Sequence, residues 1–418
     1  VYNDKVYVGG YMDSLGYERI VVISIDTLGN ERWIYKDTLY NSEGYAIMIS
    51  QSHHIYVAGI KYPSPPDWVV LKLDSLGNLC WRYVYDGPAG SYDEASSIVI
   101  DGNENIYVGG YSTGLGTNTD FTIIKLDSAG QEQWVYRYDG PASYRDELKA
   151  LTIDSSGSVY GAGGSWSGIG SWDFLVVKLD SNGNERWVYR FDGYAHYYDW
   201  AEDVVVDDSG FVYACGLSYL YNNTLQYFAV IVLDSGGVEF WRYLTAGPLG
   251  YGGYPRRMVL DGLGYIYACG NLDGYLAVVK LSGLGNEEWV YKDPYAMIAR
   301  GIVADVAGNI YVAGQRRVSQ WNDDIVVMKF AALQGEVKEV VGSETIKSSF
   351  GATIFKGGIE FLPQEDCGLR VYDVMGRMTV NMSFCSGRKE IIKLQPGVYF
   401  LRISSAEKVE NRKIVVLE

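Results

Sequence analysis

The chain is expected to be all-β: a seven-bladed β-propeller followed by a small Ig-like β-sandwich domain. Three observations predict this. Tryptophans recur at Trp33, Trp81, Trp134, Trp187, Trp241 and Trp289, 48 to 54 residues apart. A five-residue signature recurs seven times, as VYVGG at Val6, IYVAG at Ile55, IYVGG at Ile106, VYGAG at Val159, VYACG at Val212, IYACG at Ile266 and IYVAG at Ile310. The repeat then stops, and residues 349–418 carry a different pattern of short alternating strands. Self-similarity at a period near ~50 residues is the mark of a repeat architecture.

Each unit reads as four strands. SSIVID before Gly102 typifies strand a, NIYVGG strand b, DFTIIKLD strand c and WVYRY strand d. Short apolar runs bounded by Gly, Asn and Asp are strand-and-turn chemistry. Turns such as DSLGN and DSNGN suit tight hairpins, because Gly accepts positive φ and the Asp side chain caps the turn. No segment sustains a 3.6-residue period, so almost no helix is expected. Four short strands per unit and a long crossover from d to a, as in YDGPAGSYDEA, favour radial blades over a solenoid. The six tryptophans are expected to open the outermost strand of their blades and to pack between neighbours.

The organisation expected is residues 1–335 as the propeller, 336–348 as a linker that can join the last blade, and 349–418 as the C-terminal domain. The first unit is incomplete. Val6 aligns with Ile106, so Val1 aligns with Asp101, the residue after strand a. Six a-strands, near Ala46, Ser97, Leu151, Val204, Met258 and Ile302, serve seven b-strands. Val337–Val341 is the expected d-strand of blade seven, and an open strand edge in blade one would seek a partner.

The unit DF-x-VVKLDS-x-GN-x-x-W, followed by an a-strand and GN-x-YV-x-G, resembles the bacterial seven-bladed propeller repeats of secreted and surface proteins. It departs from them at Ser282, where the turn Asp is missing, and in the seventh unit, which lacks both the Asp turn and the Trp. The tail is similar to the C-terminal sorting domain of type IX secretion substrates. The matching positions are Tyr372-Asp373, Gly376-Arg377, Pro396-Gly397-Val398-Tyr399-Phe400 and Lys413-Ile414-Val415-Val416. The resemblance implies a bacterial protein, a small β-sandwich, recognition by outer-membrane export machinery and a final location outside the cell or on its surface.

Composition narrows the function. Net charge is −16, and phosphate backbones need a basic face, so nucleic acid is not an expected partner. From Glu336 onward 12 Lys and Arg stand against 11 Asp and Glu, about +1, which leaves about −17 on the first 335 residues. No run of about 18 apolar residues exists, so no transmembrane helix is expected. The first residue is Val, without a basic and apolar leader, which reads as a mature chain. Cys215 and Cys269 occupy matching b-strand positions and read as small buried hydrophobes. Cys367 and Cys385 flank a hairpin near Gly376 almost symmetrically, and a disulfide between them is expected, stabilising by about 3 kcal/mol.

Catalytic motifs are absent: no HExxH, GxSxG, Walker A or CxxC pair appears. No enzyme activity, cofactor or metal site is expected, since three His and five scattered Cys do not fit zinc spacing. His53-His54 reads as an exposed hairpin tip. One constellation exceeds background. The d-to-a crossovers carry Tyr92-Asp93-Glu94, Arg145-Asp146-Glu147 and Tyr198-Asp199-Trp200 at matching places, and should converge near the channel mouth. Acids beside Tyr and Trp suit sugars or a cation; the alternative is that these Asp cap the start of strand a. The functional expectation is a structural or adhesive surface protein joined head-to-tail to other copies of itself. The alternative is a monomeric module binding surface glycans or proteins, and a third reading is a propeller lyase or glycosidase.

Overall fold

The computed structural model describes residues 5–338 except 15–16, 27, 29, 40, 63–64, 169–170, 194–195, 220–224, 248, 306–307, 320–321 and 331–336, and beyond residue 351 the strands alone. The chain divides into two units, Val1–Glu339 and Val340–Glu418.

The first unit is a seven-bladed β-propeller of seven antiparallel sheets. Blade three shows the plan, with strands a to d at Asp93–Ile100, Ile106–Thr113, Thr119–Leu126 and Glu132–Tyr138 paired in that order. The repeated Asp builds the c–d hairpin. Asp127 Oδ1 accepts the N–H of Ala129 at 3.0 Å and of Gln131 at 2.9 Å, while Gly130 turns the chain at φ +81°. In the sixth unit Ser282 Oγ takes over, accepting the Asn286 N–H at 3.2 Å.

The hydrophobic core lies between blades. Phe121 and Ile123 of strand c, both fully buried, share one cluster with Leu148 and Leu151 of the next blade's a-strand. Equivalent clusters join each pair from blades one and two to blades six and seven. Cys215 and Cys269 are fully buried within two of them.

The tryptophans sit in the d-strands, half-buried rather than enclosed. Each of the first five donates its indole N–H to a turn carbonyl of the following blade, as Trp134 does to Ser181 at 3.4 Å and Trp187 to Ser235 at 3.1 Å. The ring lies on the positive-φ glycine of that turn: a Cβ on Gly183 would stand 2.7 Å from the Trp134 ring. Trp33, Trp81 and Trp241 repeat the arrangement on Gly77, Gly130 and Gly285. Trp289 stacks on Phe330 of blade seven, centroids 5.5 Å apart at 14°.

Two blades depart from the plan. Blade seven is completed by a two-residue d-strand, Val337–Lys338, which pairs with Phe330 and Lys329; the rest of the expected Val337–Val341 strand lies outside the described residues. Among the described residues blade one has three strands, Lys5–Ser14, Tyr17–Asp26 and Glu31–Lys36, which correspond to b, c and d.

Among the described residues the second unit has seven strands in two sheets. One orders Ala352–Phe355, Gly358–Phe361 and Glu390–Lys393; the other orders Met378–Phe384, Cys367–Asp373, Gly397–Ser404 and Val409–Val416. Cys367 opens its strand opposite Phe384; Cys385, and with it the expected disulfide, lies outside the described residues. Tyr372 and Asp373 pair with Phe400 and Tyr399, and Gly397 and Val398 open the strand that pairs with Val416 and Val415. Gly376, Arg377 and Pro396 lie outside the described residues.

Candidate functional site

The d-to-a crossovers of blades three, four and five each bring an acid to the start of strand a, and the structure separates the roles of neighbouring residues there. Asp93, Asp146 and Asp199 are buried, at 0%, 1% and 0% exposure, and do not face a ligand. Their carboxylates tie down the preceding loop. Asp93 accepts the Gly87 N–H at 2.9 Å, Asp146 the Gly140 N–H at 2.7 Å and Asp199 the Gly193 N–H at 2.7 Å. These three cap their loops, the reading set beside the ligand-facing one for that column. Side chains alternate along a strand, so the next residue, Glu94, Glu147 or Trp200, turns the other way.

A further device re-aims the strand. Each a-strand slips register against its b-strand by one residue, between Gly44 and Ala46, Ala95 and Ser97, Leu148 and Ala150, Ala201 and Asp203, Pro255 and Arg257, and Ala299 and Gly301. The bulged residues are Tyr45, Ser96, Lys149, Glu202, Arg256 and Arg300. A bulge leaves the extra residue unpaired and redirects its side chain. Five of these six line one cavity of about 590 Å³, together with Glu94, Glu147, Tyr198 and Trp200 from the expected constellation.

The cavity wall is charged and aromatic. Lys149 Nζ lies 3.4 Å from Glu147 and 5.2 Å from the centroid of the Trp200 ring. Arg256 lies 3.8 Å from Glu202 and 4.9 Å over the Tyr254 ring. Burial pushes the Glu202 carboxyl above the usual range, opposed by Arg256, Lys149 and Arg257. Behind it, burial pushes Asp203 up to about 6 against the opposing charge of Arg257, and its carboxylate accepts the Met258 N–H at 2.8 Å. Trp200 is only 4% exposed and packs against Trp172 at 4.5 Å, so it forms the floor rather than a free stacking face. Tyr198, 36% exposed, lies nearly parallel to Trp200 at 6.0 Å and offers its outer face.

A second cavity of about 490 Å³ shares Arg145 and Glu147 with the first and is lined by Tyr92 and Tyr111. These two rings stack at 5.9 Å and 6°, and both hydroxyls donate to Glu94, at 3.2 Å from Tyr92 and 2.7 Å from Tyr111. The constellation therefore divides. Glu94, Tyr198 and Trp200 line one cavity, Tyr92 the other and Glu147 both, and the three Asp stand behind them.

Sequence reading named Arg145 within its crossover but missed the bulge column and the cations Arg256 and Arg257. The signal was present: aligning the a-strands on Asp93, Asp146 and Asp199 places Ser96, Lys149 and Glu202 in one polar column within an apolar strand. Among the described residues, Asp67, Asp86 and Asp93 form one group of carboxylates within 4.8 Å of one another. Asp67 is already paired with Lys61 at 2.7 Å. His53 and His54 are half-buried rather than exposed, and His54 lies 3.6 Å from Glu104.

Residues 87–116 match the family model described as a beta-propeller repeat. The match runs from the d-to-a crossover of blade two through strands a and b of blade three, the segment that builds one wall of the site. No curated protein matches the chain. Among solved structures, the chain is similar to the β-propeller domain of the Trilobed protease from Pyrococcus furiosus. That match has 8% identity and a TM-score of 0.47, over 82% of this chain and 96% of that one. Another is dihydro-heme d1 dehydrogenase NirN in complex with DHE, at 12% identity and TM-score 0.49, over 91% and 74%. A Lactobacillus plantarum protein aligns at 12% identity and TM-score 0.39, over 93% and 99%.

Proposed function

We propose that this propeller is a non-enzymatic, surface-exposed binding module that takes a glycan chain across the mouth of its channel. The observation that carries the reading is the pair of adjoining cavities sharing Arg145 and Glu147, each with a tyrosine face beside a carboxylate. Aromatic faces stack on the apolar side of a sugar ring, and carboxylates accept its hydroxyl hydrogen bonds. Lys149, Arg256 and Arg257 add cations that suit an acidic sugar. The two cavities, about 590 Å³ and 490 Å³, adjoin at Arg145 and Glu147 and so offer an oligosaccharide two neighbouring subsites. Glu202, with its raised carboxyl, is the group on which a lyase or glycosidase reading would rest.

Titration of the purified chain with neutral and uronate-containing oligosaccharides tests the proposal. Saturable binding, weakened about tenfold or more by Tyr198→Ala or Glu147→Gln, is expected, with the oligosaccharide recovered at its original length. Absence of binding to every glycan class removes the reading. Shortened products abolished by Glu202→Gln replace it with an enzyme. Export and surface attachment belong to the same proposal and rest on the resemblance of residues 349–418 to a sorting domain. A fusion carrying residues 340–418 should reach the exterior of a type IX-competent cell, and retention inside would argue against it.

A further inference from the structure

On the glycan reading of the site, on which this rests, we propose that the two cavities take two different sugars in sequence. An acidic sugar occupies the cavity of about 590 Å³ and a neutral one the cavity of about 490 Å³, with Arg145 between them as the residue that sets the specificity. The larger cavity has four cations and three carboxylates in its wall. Each carboxylate already has a partner. Glu94 accepts from the hydroxyls of Tyr92 and Tyr111, Glu147 lies 3.4 Å from Lys149, and Glu202 lies 3.8 Å from Arg256. Lys149 and Arg256 are thereby engaged.

Arg145 and Arg257 remain. Both are exposed, and among the described residues neither guanidinium makes an ion pair with a carboxylate. Arg257 donates to the carbonyl oxygens of Glu202 at 3.2 Å and of Arg256 at 2.8 Å, which fixes its head without neutralising it. The Arg145 side chain makes no hydrogen bond among the described residues. A guanidinium presents a planar fork of donors that matches a carboxylate, so a uronate in this cavity finds cations that no side chain has claimed. The chain carries −16 overall, so its long-range field does not attract an anion. Only cations within contact distance can hold one.

The smaller cavity is of another kind. Apart from the shared Arg145 and Glu147, its wall carries no charge. It offers hydroxyls such as those of Ser91, Thr113 and Thr117, the amide of Asn118 and the stacked rings of Tyr92 and Tyr111. Hydroxyl and amide groups both donate and accept, which suits the hydroxyls of a neutral sugar, and Tyr92, 41% exposed, offers its outer face for stacking. A second carboxylate here would meet Glu147 with no cation except Arg145, which the acidic neighbour already engages. The shared arginine therefore fixes the order: the acid lies on its charged side and the neutral sugar on its hydroxyl side.

Calorimetric titration of the full chain with three tetrasaccharides tests this: one alternating glucuronate with N-acetylglucosamine, one of galacturonate alone and one of glucose alone. The alternating tetramer should bind about tenfold or more tighter than the glucose tetramer, with the galacturonate tetramer between them. Added salt should narrow the gap between the alternating and glucose tetramers. Arg145→Gln should bring the alternating tetramer down to the glucose level, and Arg145→Lys should restore part of the difference. Both variants should keep the parent's thermal midpoint, because the exposed Arg145 head has no partner to lose. Equal binding of the alternating and glucose tetramers, or binding that Arg145→Gln leaves unchanged, overturns the proposal while the glycan reading stands. Tightest binding of the galacturonate tetramer also overturns it, since both cavities would then take acids. Absence of binding to all three overturns it, and failure of every other glycan class as well is what would remove the glycan reading with it.

Discussion

At the scale of single residues, burial decides what the repeated acids do. Burial pushes the Asp146 and Asp199 carboxyls up to about 6, while an unfolded chain titrates Asp near ~3.9. Between about pH 4 and pH 6 the folded state therefore holds protons that the unfolded state has released, and stability falls as pH rises through that window. Asp146→Asn keeps an acceptor for the Gly140 N–H and removes the titration. Its thermal midpoint should match the parent near pH 4 and exceed it near pH 6, by a margin on the order of 1 kcal/mol. Parallel midpoint curves for the two proteins would show that Asp146 is not the titrating group. The cysteines give a second residue-level outcome. Cys80 is exposed, whereas Cys215 and Cys269 are fully buried and burial pushes the Cys269 thiol up to about 12. Since the thiolate is the nucleophile, a thiol reagent should label Cys80 in the native propeller and reach Cys215 and Cys269 only on unfolding. Mass mapping of the labelled protein checks this.

At the scale of elements, each of the six junctions from blades one and two to blades six and seven is pinned from outside by a tryptophan and from inside by an a-strand. Trp134 and Gly183 form one device: the ring needs a glycine beneath it, and the turn needs a glycine at φ +83°. Trp134→Ala should cost about 2–3 kcal/mol, less than for a fully enclosed Trp because the ring is half-buried. Gly183→Ala should cost more than about 1 kcal/mol, through backbone strain and through the Trp134 ring. The double variant relieves the ring clash, so chemical denaturation should show less than the sum of the two losses. Strict additivity would mean that the turn and the ring do not meet. The Trp spacing and the Asp-x-x-Gly turns were legible because period-two patterning and turn chemistry are local. The a-strand bulge marks the sequence only as a polar column, Ser96, Lys149 and Glu202, seen when the units are aligned; the one-residue slip that makes it a bulge is a relation to the partner strand and cannot be read along one strand. That slip lifts Lys149, Glu202 and Arg256 into the cavity, so most of the site's charge escaped a reading based on the crossovers.

At the scale of the whole propeller, stability should follow the number of closed junctions around each blade. Blades two to six have a shared core on both sides, and blades one and seven on one side among the described residues. Local opening is cheapest where few apolar contacts are lost. Amide exchange should therefore be slowest in the central strands of blade four, Val159–Trp166 and Trp172–Leu179, and fastest in Lys5–Ser14 and Asn322–Phe330. Uniform exchange around the ring would show that the seventh junction is as closed as the others.

By itself the sequence determined the propeller, its seven units and the residues of its hairpins, because those depend on spacing and on turn and strand chemistry within one unit. It also marked the crossovers where the cavities form. Tertiary structure decided which neighbour of each crossover acid faces the cavity, since Asp146 turns back to its loop and Glu147 turns out. It decided that Trp200 is a floor and Tyr198 a face, which depends on how far Trp172 of the neighbouring blade reaches. It also decided the meaning of Gly10. Seven identical glycines look alike in a sequence, and only the space above each shows that six are covered by a strand and the seventh by none of the described residues. Spacing along a chain records what each unit can do, whereas burial is a property of what the next unit brings to it.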